Sequence, residues 1–168
     1  YGDQFKAISN VHPFARLAYA IYGAEDDYLK PAMESYLPAW RVVADEKTKQ
    51  DDDEDRVLLV QEHGNSTWAC VLVFEGTNTF GELFASIKQH LTNYCGFTGV
   101  HAGYRDEIWT LTKELWPRLR NKLAKCSSLS VTGHSLGGAV AELFSACVNS
   151  NRTDDPDYKL AQWTKGTP

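Results

Sequence analysis

Val131-Thr132-Gly133-His134-Ser135-Leu136-Gly137-Gly138-Ala139 is the stretch that decides how the rest of the chain reads. A short alternating run, Leu129-Ser130-Val131, leads into it, and an apolar helical run from Ala139 to Val148 leads out. Gly-x-Ser-x-Gly between a strand and a helix is the nucleophile-elbow arrangement. The turn is so tight that the residues flanking the serine need to be nearly free of side chain. Gly133 and Gly137 let strand and helix pass close together, and Ser135 is expected in a strained backbone conformation with its hydroxyl exposed. The following helix brings N–H groups and the positive end of its dipole beside that hydroxyl. The motif predicts a nucleophilic serine.

A serine nucleophile needs donors for the oxyanion it generates. Leu136 N–H, directly after the nucleophile, is the donor that the elbow supplies itself. The second is sought in a nearby strand-to-helix turn. Upstream, Arg56 to Glu62 and Thr67 to Phe74 are rich in Val, Leu and aromatics and read as a hairpin joined by His63-Gly64-Asn65-Ser66. Val71-Leu72-Val73-Phe74 is apolar at every position, the mark of a strand buried on both faces. It runs into Glu75-Gly76-Thr77-Asn78, at the carboxyl end of a central strand, where ligands of open α/β sheets lie. Thr77 is the candidate for the second donor, through its N–H and its hydroxyl. Beyond it, Phe80, Leu83, Phe84 and Ile87 fall at i, i+3, i+4, i+7. That face suits either a helix packed on the core or a lid whose apolar side meets lipid, and Gly81 suits a mobile segment.

Away from the elbow, Phe14 to Tyr22 predicts a helix stopped by Gly23, and Pro31 and Pro38 bracket an irregular aromatic segment with Tyr36 and Trp40. Asp51-Asp52-Asp53-Glu54-Asp55 reads as a solvated loop, since the spacing and Gly of an EF-hand loop are missing. Gly99-Val100-His101-Ala102-Gly103 reads as a connection, with His101 hydrogen-bonding backbone at a helix start. Tyr104 to Ala124 is the longest helical pattern, with Ile108, Leu111, Leu115, Leu119 and Leu123 on one face. Pro117 is expected to kink that helix or end it near Trp116. Asp154-Asp155-Pro156-Asp157 reads as a turn and Tyr158 to Thr164 as a strand. The apolar edge of such a strand calls for cover, from another chain or from a further C-terminal segment.

At 168 residues, with 43% hydrophobic and 23% charged, the chain is sized for one domain with a real core. It divides into an N-terminal helix with an irregular acidic segment, 1–55, and an α/β core, 56–168. A net charge of -5 argues against a nucleic-acid partner. No apolar run approaches the ~20 residues that span a bilayer. Cys70, Cys95, Cys126 and Cys147 include no Cys-x-x-Cys pair, so neither a metal nor another cofactor is expected, while one or two disulfides stay open. Asn65-Ser66-Thr67 and Asn151-Arg152-Thr153 are glycosylation sequons that tilt the reading slightly toward a secretory or organellar route, peripheral to a membrane.

Serine also needs a hydrogen-bonded base, oriented by an acid, and in this architecture both follow the nucleophile in chain order. None of the five histidines (His12, His63, His90, His101, His134) lies after Ser135. His134 adjoins the serine and should leave the turn in another direction. Asp154, Asp155 and Asp157 sit together in one polar turn, a poor source of the acid.

Together these segments resemble class 3 lipases, the fungal and plant triacylglycerol lipases of the α/β-hydrolase fold. Val73-Phe74-Glu75-Gly76-Thr77 resembles the family's Phe-Arg-Gly-Ser/Thr oxyanion segment, and Val100-His101-Ala102-Gly103-Tyr104 its Val-His-x-Gly-Phe. Gly133 to Ala139 resembles its elbow almost letter for letter, and Trp163-Thr164-Lys165-Gly166-Thr167-Pro168 its Tyr-Thr-Phe-Gly-x-Pro. The resemblance covers roughly Arg56 to Pro168. It implies a partial α/β-hydrolase fold: a mixed, mostly parallel sheet flanked by helices. It also implies Ser135 as nucleophile, Thr77 and Leu136 as oxyanion donors, Asn78 to Ser86 as lid, and a lipid ester substrate or lipid surface as partner. The family's acid and histidine lie beyond its Gly-x-Pro segment. Glu75 stands where the family usually has Arg, and Ser86 where it usually has Asp. Two readings follow: a serine ester hydrolase completed by residues from elsewhere, or a lipase-like subunit without catalysis that serves a binding or structural role in a larger assembly.

Overall fold

The computed structural model describes residues 12–23, 31, 33, 35, 37–48, 55–63, 69–76 and 90–162. Chain order begins with helix α1 (residues 12–20, closing in a 3₁₀ turn over Ile21–Gly23) and strands β1 (Trp40–Lys47), β2 (Arg56–Glu62) and β3 (Ala69–Phe74). A ribbon of β4 (Leu91–Tyr94) and β5 (Phe97–His101) follows. Then come α2 (Ala102–Leu123), β6 (Ser128–Gly133), α3 (Leu136–Val148) and α4 (Pro156–Ala161). The main sheet has the order β1-β2-β3-β6. Antiparallel pairing joins β1 to β2 and β2 to β3, while β6 lies parallel to β3, with Phe74 opposite Gly133. The mixed sheet flanked by helices matches the expectation. Parallel pairing does not prevail among the described strands, because the β1-β2-β3 meander occupies three of the four positions.

The unbroken apolar runs of β2 and β3 follow from a sheet covered on both sides. Side chains alternate across a strand. Val57, Leu59, Cys70, Leu72 and Phe74 therefore join one core cluster with residues of α2, α3 and α4, while Leu58, Val60, Val71 and Val73 join Leu17, Ile21, Met33 and Leu37 on the opposite face. Every one of these strand residues is at most 3% exposed. Complete burial of a Val or Leu is worth about 1.5–3 kcal/mol, so this layer dominates the stability of the frame. Arg56, the buried charged residue that opens β2, is 3% exposed and forks onto Asp45 of β1, its Nε 2.7 Å from Oδ1.

Helix α2 buries the predicted stripe Ile108, Leu111, Leu115, Leu119 and Leu123. It does not end near Trp116. Pro117 lies inside the helix on its exposed face, where the carbonyl left without a donor one turn back can turn to water. On the same side Arg118 bonds the Lys47 carbonyl at 2.7 Å and Glu46 at 3.1 Å, clamping α2 to β1.

Three further expectations change. Residues 158–161 are helical, not a strand: the Asp155 carboxylate accepts from the N–H groups of Asp157 (2.8 Å) and Tyr158 (3.2 Å), and Pro156 opens the helix. Asp-Pro is a helix start, and Tyr158 and Ala161 are buried one turn apart. Residues 158–161 therefore present no strand edge for a partner to cover; 163–164 lie outside the described residues. Second, Gly99 to His101 belong to β5, not to a connection, and Cys95-Gly96 forms a two-residue turn with φ of 50° and 78°. Paired positive φ is the hairpin turn that matches strand twist. Third, Trp40 opens β1, and residues 31, 33 and 35 are helical where an irregular segment was expected. Two disulfides, Cys70–Cys126 and Cys95–Cys147, tie β3 to the loop before β6 and the ribbon's turn to the end of α3.

Candidate active site

β6 stops at Gly133, α3 starts at Leu136, and Ser135 between them has φ 55° and ψ -121°. This is the sparsely populated backbone region where L side chains are strained, held here because the chain is fixed on both sides. A Cβ on Gly133 would lie 2.2 Å from the Gly137 carbonyl oxygen, and one on Gly137 would lie 2.3 Å from the Phe74 carbonyl oxygen. Only glycine fits at either position. The contacts stack the first turn of α3 on the ends of both β6 and β3. Ser135 is exposed, and its side chain makes no cap hydrogen bond to α3. Its carbonyl accepts from Gly138 N–H at 3.0 Å and Ala139 N–H at 3.2 Å. The N–H groups of Leu136 and Gly137, first in the helix, have no acceptor in the helix itself.

Rotation of α3 about its axis is set by aromatics. Phe144 packs 5.8 Å from Phe74 at the end of β3 and 5.1 Å from Trp116 of α2. These contacts, with the burial of Val140 and Cys147, turn one side of α3 inward and leave the serine at the carboxyl end of the parallel pair.

A residue the sequence reading passed over joins the pieces. The Tyr22 hydroxyl, at the end of α1, donates to the His134 carbonyl at 3.3 Å and lies 3.3 Å from His134 Nδ1. It also meets the backbone of Gly76, in a bond that favours the ionised phenol and is therefore donated by the Gly76 N–H. A Cβ on Gly76 would fall 2.1 Å from that hydroxyl and 2.4 Å from the His134 carbonyl oxygen. Burial, reinforced by the charge of Glu75, nevertheless raises the Tyr22 pKa, which keeps the hydroxyl a donor. Tyr22 thus pins the turn after β3 to the residue before Ser135, reaching His134 from 112 positions upstream. No local sequence pattern announces such a contact.

His134 does leave the turn in another direction, its ring set edge-on to Tyr22 with centroids 5.7 Å apart. His101 caps α2, its Nδ1 accepting from Gly103 N–H at 3.2 Å. Asp155 is committed to the start of α4, beyond the far end of α3. Asp157 has its pKa raised by burial, partly offset by Arg105. Ser135, Leu136 and Gly76 are brought together. Thr77, Phe80, Leu83, Phe84, the 78–86 segment and 163–168 lie outside the described residues. Among the described residues, no group of His, Cys, Asp and Glu could hold a metal ion. No helix among them is long and apolar enough to cross a membrane.

The sequence pattern of the family described as Lipase (class 3) matches residues 71–168. No curated protein sequence matches the chain. Among solved structures it is similar to a nonglycosylated lipase from Yarrowia lipolytica, at 20% identity and a TM-score of 0.66, over 90% of this chain and 56% of that one. A lipase from Rhizopus microsporus var. chinensis gives 23% and 0.65, over 90% of this chain and 54% of that one. Lipase II from Rhizopus niveus gives 21% and 0.65, over 94% and 58%. The chain spans little more than half the length of each. The shared fold is the α/β-hydrolase fold.

Proposed function

The chain belongs to the class 3 lipase family, and on that premise we propose that it is the nucleophile-bearing part of a serine hydrolase acting on lipid esters, of the acylglycerol or phospholipid class. The observation that carries the reading is the backbone of Ser135, held at φ 55° with its side chain exposed at the start of α3. In the proposed reaction Ser135 Oγ attacks the acyl carbon and its proton passes to a histidine base. The carbonyl oxygen becomes an oxyanion held by Leu136 N–H and by Thr77. Collapse breaks the ester C–O bond, and the alcohol leaves with the proton returned by the base. Water then frees the acyl group by the same steps. Each oxyanion donor is worth about 3 kcal/mol, or 10²–10³ in rate. Phe80, Leu83 and Phe84 supply the apolar face toward lipid. The base and acid come from the part of the lipase fold that this chain does not span.

Two observations favour a second reading, a lipase-like subunit without catalysis. His134, the histidine nearest the serine in sequence, is turned to Tyr22, and the aspartates after Ser135 gather at α4. The experiment that decides is hydrolysis of emulsified acylglycerol by the natural assembly, with Ser135→Ala beside it. The hydrolase reading expects turnover that Ser135→Ala reduces to background. Turnover untouched by Ser135→Ala, or none at all in an assembly that carries a histidine base, sinks it.

A further inference from the structure

Asn151-Arg152-Thr153 follows the end of α3, and nothing in the reaction above uses it. We propose that Asn151 is an N-glycosylation site, taking an oligosaccharide from a lipid-pyrophosphate donor in the compartment where the two disulfides close. Three lines of observation converge on it, the first being the turn itself. Asn151, Arg152 and Thr153 are all exposed, as an acceptor site must be if its glycan is to coexist with the folded chain. The backbone of the turn meets its own needs: Asn151 C=O accepts from Thr153 N–H at 3.0 Å, and Arg152 C=O from Asp155 N–H at 2.9 Å. Asn151 itself sits at φ 56°, a left-handed conformation that Asn tolerates better than most residues. Its side-chain amide takes no hydrogen bond among the described residues, so the fold loses nothing when the amide is substituted.

The second line is redox. Cys70 pairs with Cys126 and Cys95 with Cys147, so all four cysteines are oxidised. Such pairs persist in oxidising compartments, above all the secretory route, which in eukaryotic cells is where N-linked sugars are added. The third is placement. α3 has 13 residues, so Asn151 stands about 20 Å from Ser135 along the helix axis. A glycan there projects from the disulfide end of α3 and leaves the elbow open. Arg152 lies against the ribbon turn, its Nε 2.9 Å from where a Gly96 Cβ would sit, so the sugar-bearing turn is braced against the same ribbon that Cys95–Cys147 anchors.

The chemistry balances. The Asn151 amide nitrogen forms a bond to the anomeric carbon of the donor sugar, the bond from that carbon to the pyrophosphate oxygen breaks, lipid pyrophosphate leaves, and the amide gives up one proton to base. Thr153 completes the acceptor sequence, and neither Arg152 nor Asp154 is the proline that would block it.

The test is secretion of the full chain from a eukaryotic cell, followed by intact mass and peptide mapping before and after peptide-N-glycosidase. The expected result is a glycosidase-sensitive mass at Asn151, read as conversion of that residue to Asp. Thr153→Ala and Asn151→Asp each remove one glycan, and Thr153→Ser retains it. Asn151→Asp keeps a residue at ease at positive φ, so its secretion with both disulfides closed shows that loss of sugar is not loss of fold. Secreted wild-type chain with both disulfides closed and Asn151 unmodified overturns the proposal. So does a glycosidase-sensitive mass that both variants leave unchanged. Neither outcome depends on whether Ser135 is catalytic.

Discussion

Replacing Tyr22 by Phe removes one oxygen and tests how the site is assembled. The hydroxyl donates to the His134 carbonyl at 3.3 Å and accepts from the Gly76 N–H. The first bond is long and lies on an exposed side, so its loss costs about 0.5 kcal/mol, the low end for a neutral hydrogen bond. The second matters more. Gly76 is buried, and a buried N–H left without an acceptor costs about 1–3 kcal/mol. The sum is about 2 kcal/mol. With a urea slope of ~2 kcal/mol/M for a chain of this size, the unfolding midpoint should fall by about 1 M with the slope unchanged. Amide exchange at Gly76 should accelerate in step, while exchange in the middle of α2 follows only the global change. A midpoint shift below about 0.3 M, with Gly76 exchange unaltered, would refute the claim that Tyr22 joins the two turns.

The remaining predictions concern the elbow, a disulfide and a buried phenol. Gly133→Ala should prevent folding or cost more than about 4 kcal/mol, because its Cβ meets backbone of α3 at 2.2 Å. Gly138→Ala, whose Cβ finds nothing nearer than 3.3 Å, should stay within about 1 kcal/mol of wild type; soluble yield and thermal unfolding read both. Removing Cys95–Cys147 by paired alanines should cost about 4 kcal/mol on the chain-entropy estimate for a separation of 52 residues, read as a fall in the denaturant midpoint. Tyr94 is 2% exposed, and burial, then the charge of Asp157, lifts its pKa above 10.0. Its contribution to stability is therefore complete below 10.0, the value in the unfolded chain, and is lost as pH rises past it, by up to about 1.4 kcal/mol per pH unit. Unfolding midpoints between about pH 9 and about pH 11 should show that slope, and Tyr94→Phe should flatten it.

Much of this molecule is legible in local patterns, and the exceptions share a cause. The elbow could be read because its glycines answer a clash among neighbours in sequence, Gly133 against Gly137. The α2 stripe and the two-faced β3 could be read because period and burial are local. Pro117 misled because proline's cost depends on which face it occupies, and an exposed face keeps water within reach of the orphan carbonyl. Asp155-Pro156 was a helix start hidden inside what looked like an acidic turn, and missing it turned α4 into a strand. Cys95-Gly96 carried a hairpin signal that only positive φ at both residues makes plain. Tyr22 is different in kind. Its partners Gly76 and His134 lie in separate segments, and tertiary packing alone brings them to one hydroxyl.

The central claim is that the fold holds Ser135 as a nucleophile. The most direct measurement is reaction of the natural assembly with an alkyl phosphonate ester that labels active serines, followed by mass spectrometry of the peptide spanning the elbow. The account predicts one phosphonyl adduct per chain, on Ser135, abolished by Ser135→Ala and blocked by prior exposure to a lipid ester. An assembly that is folded, carries a histidine base and still leaves Ser135 unlabelled would contradict it.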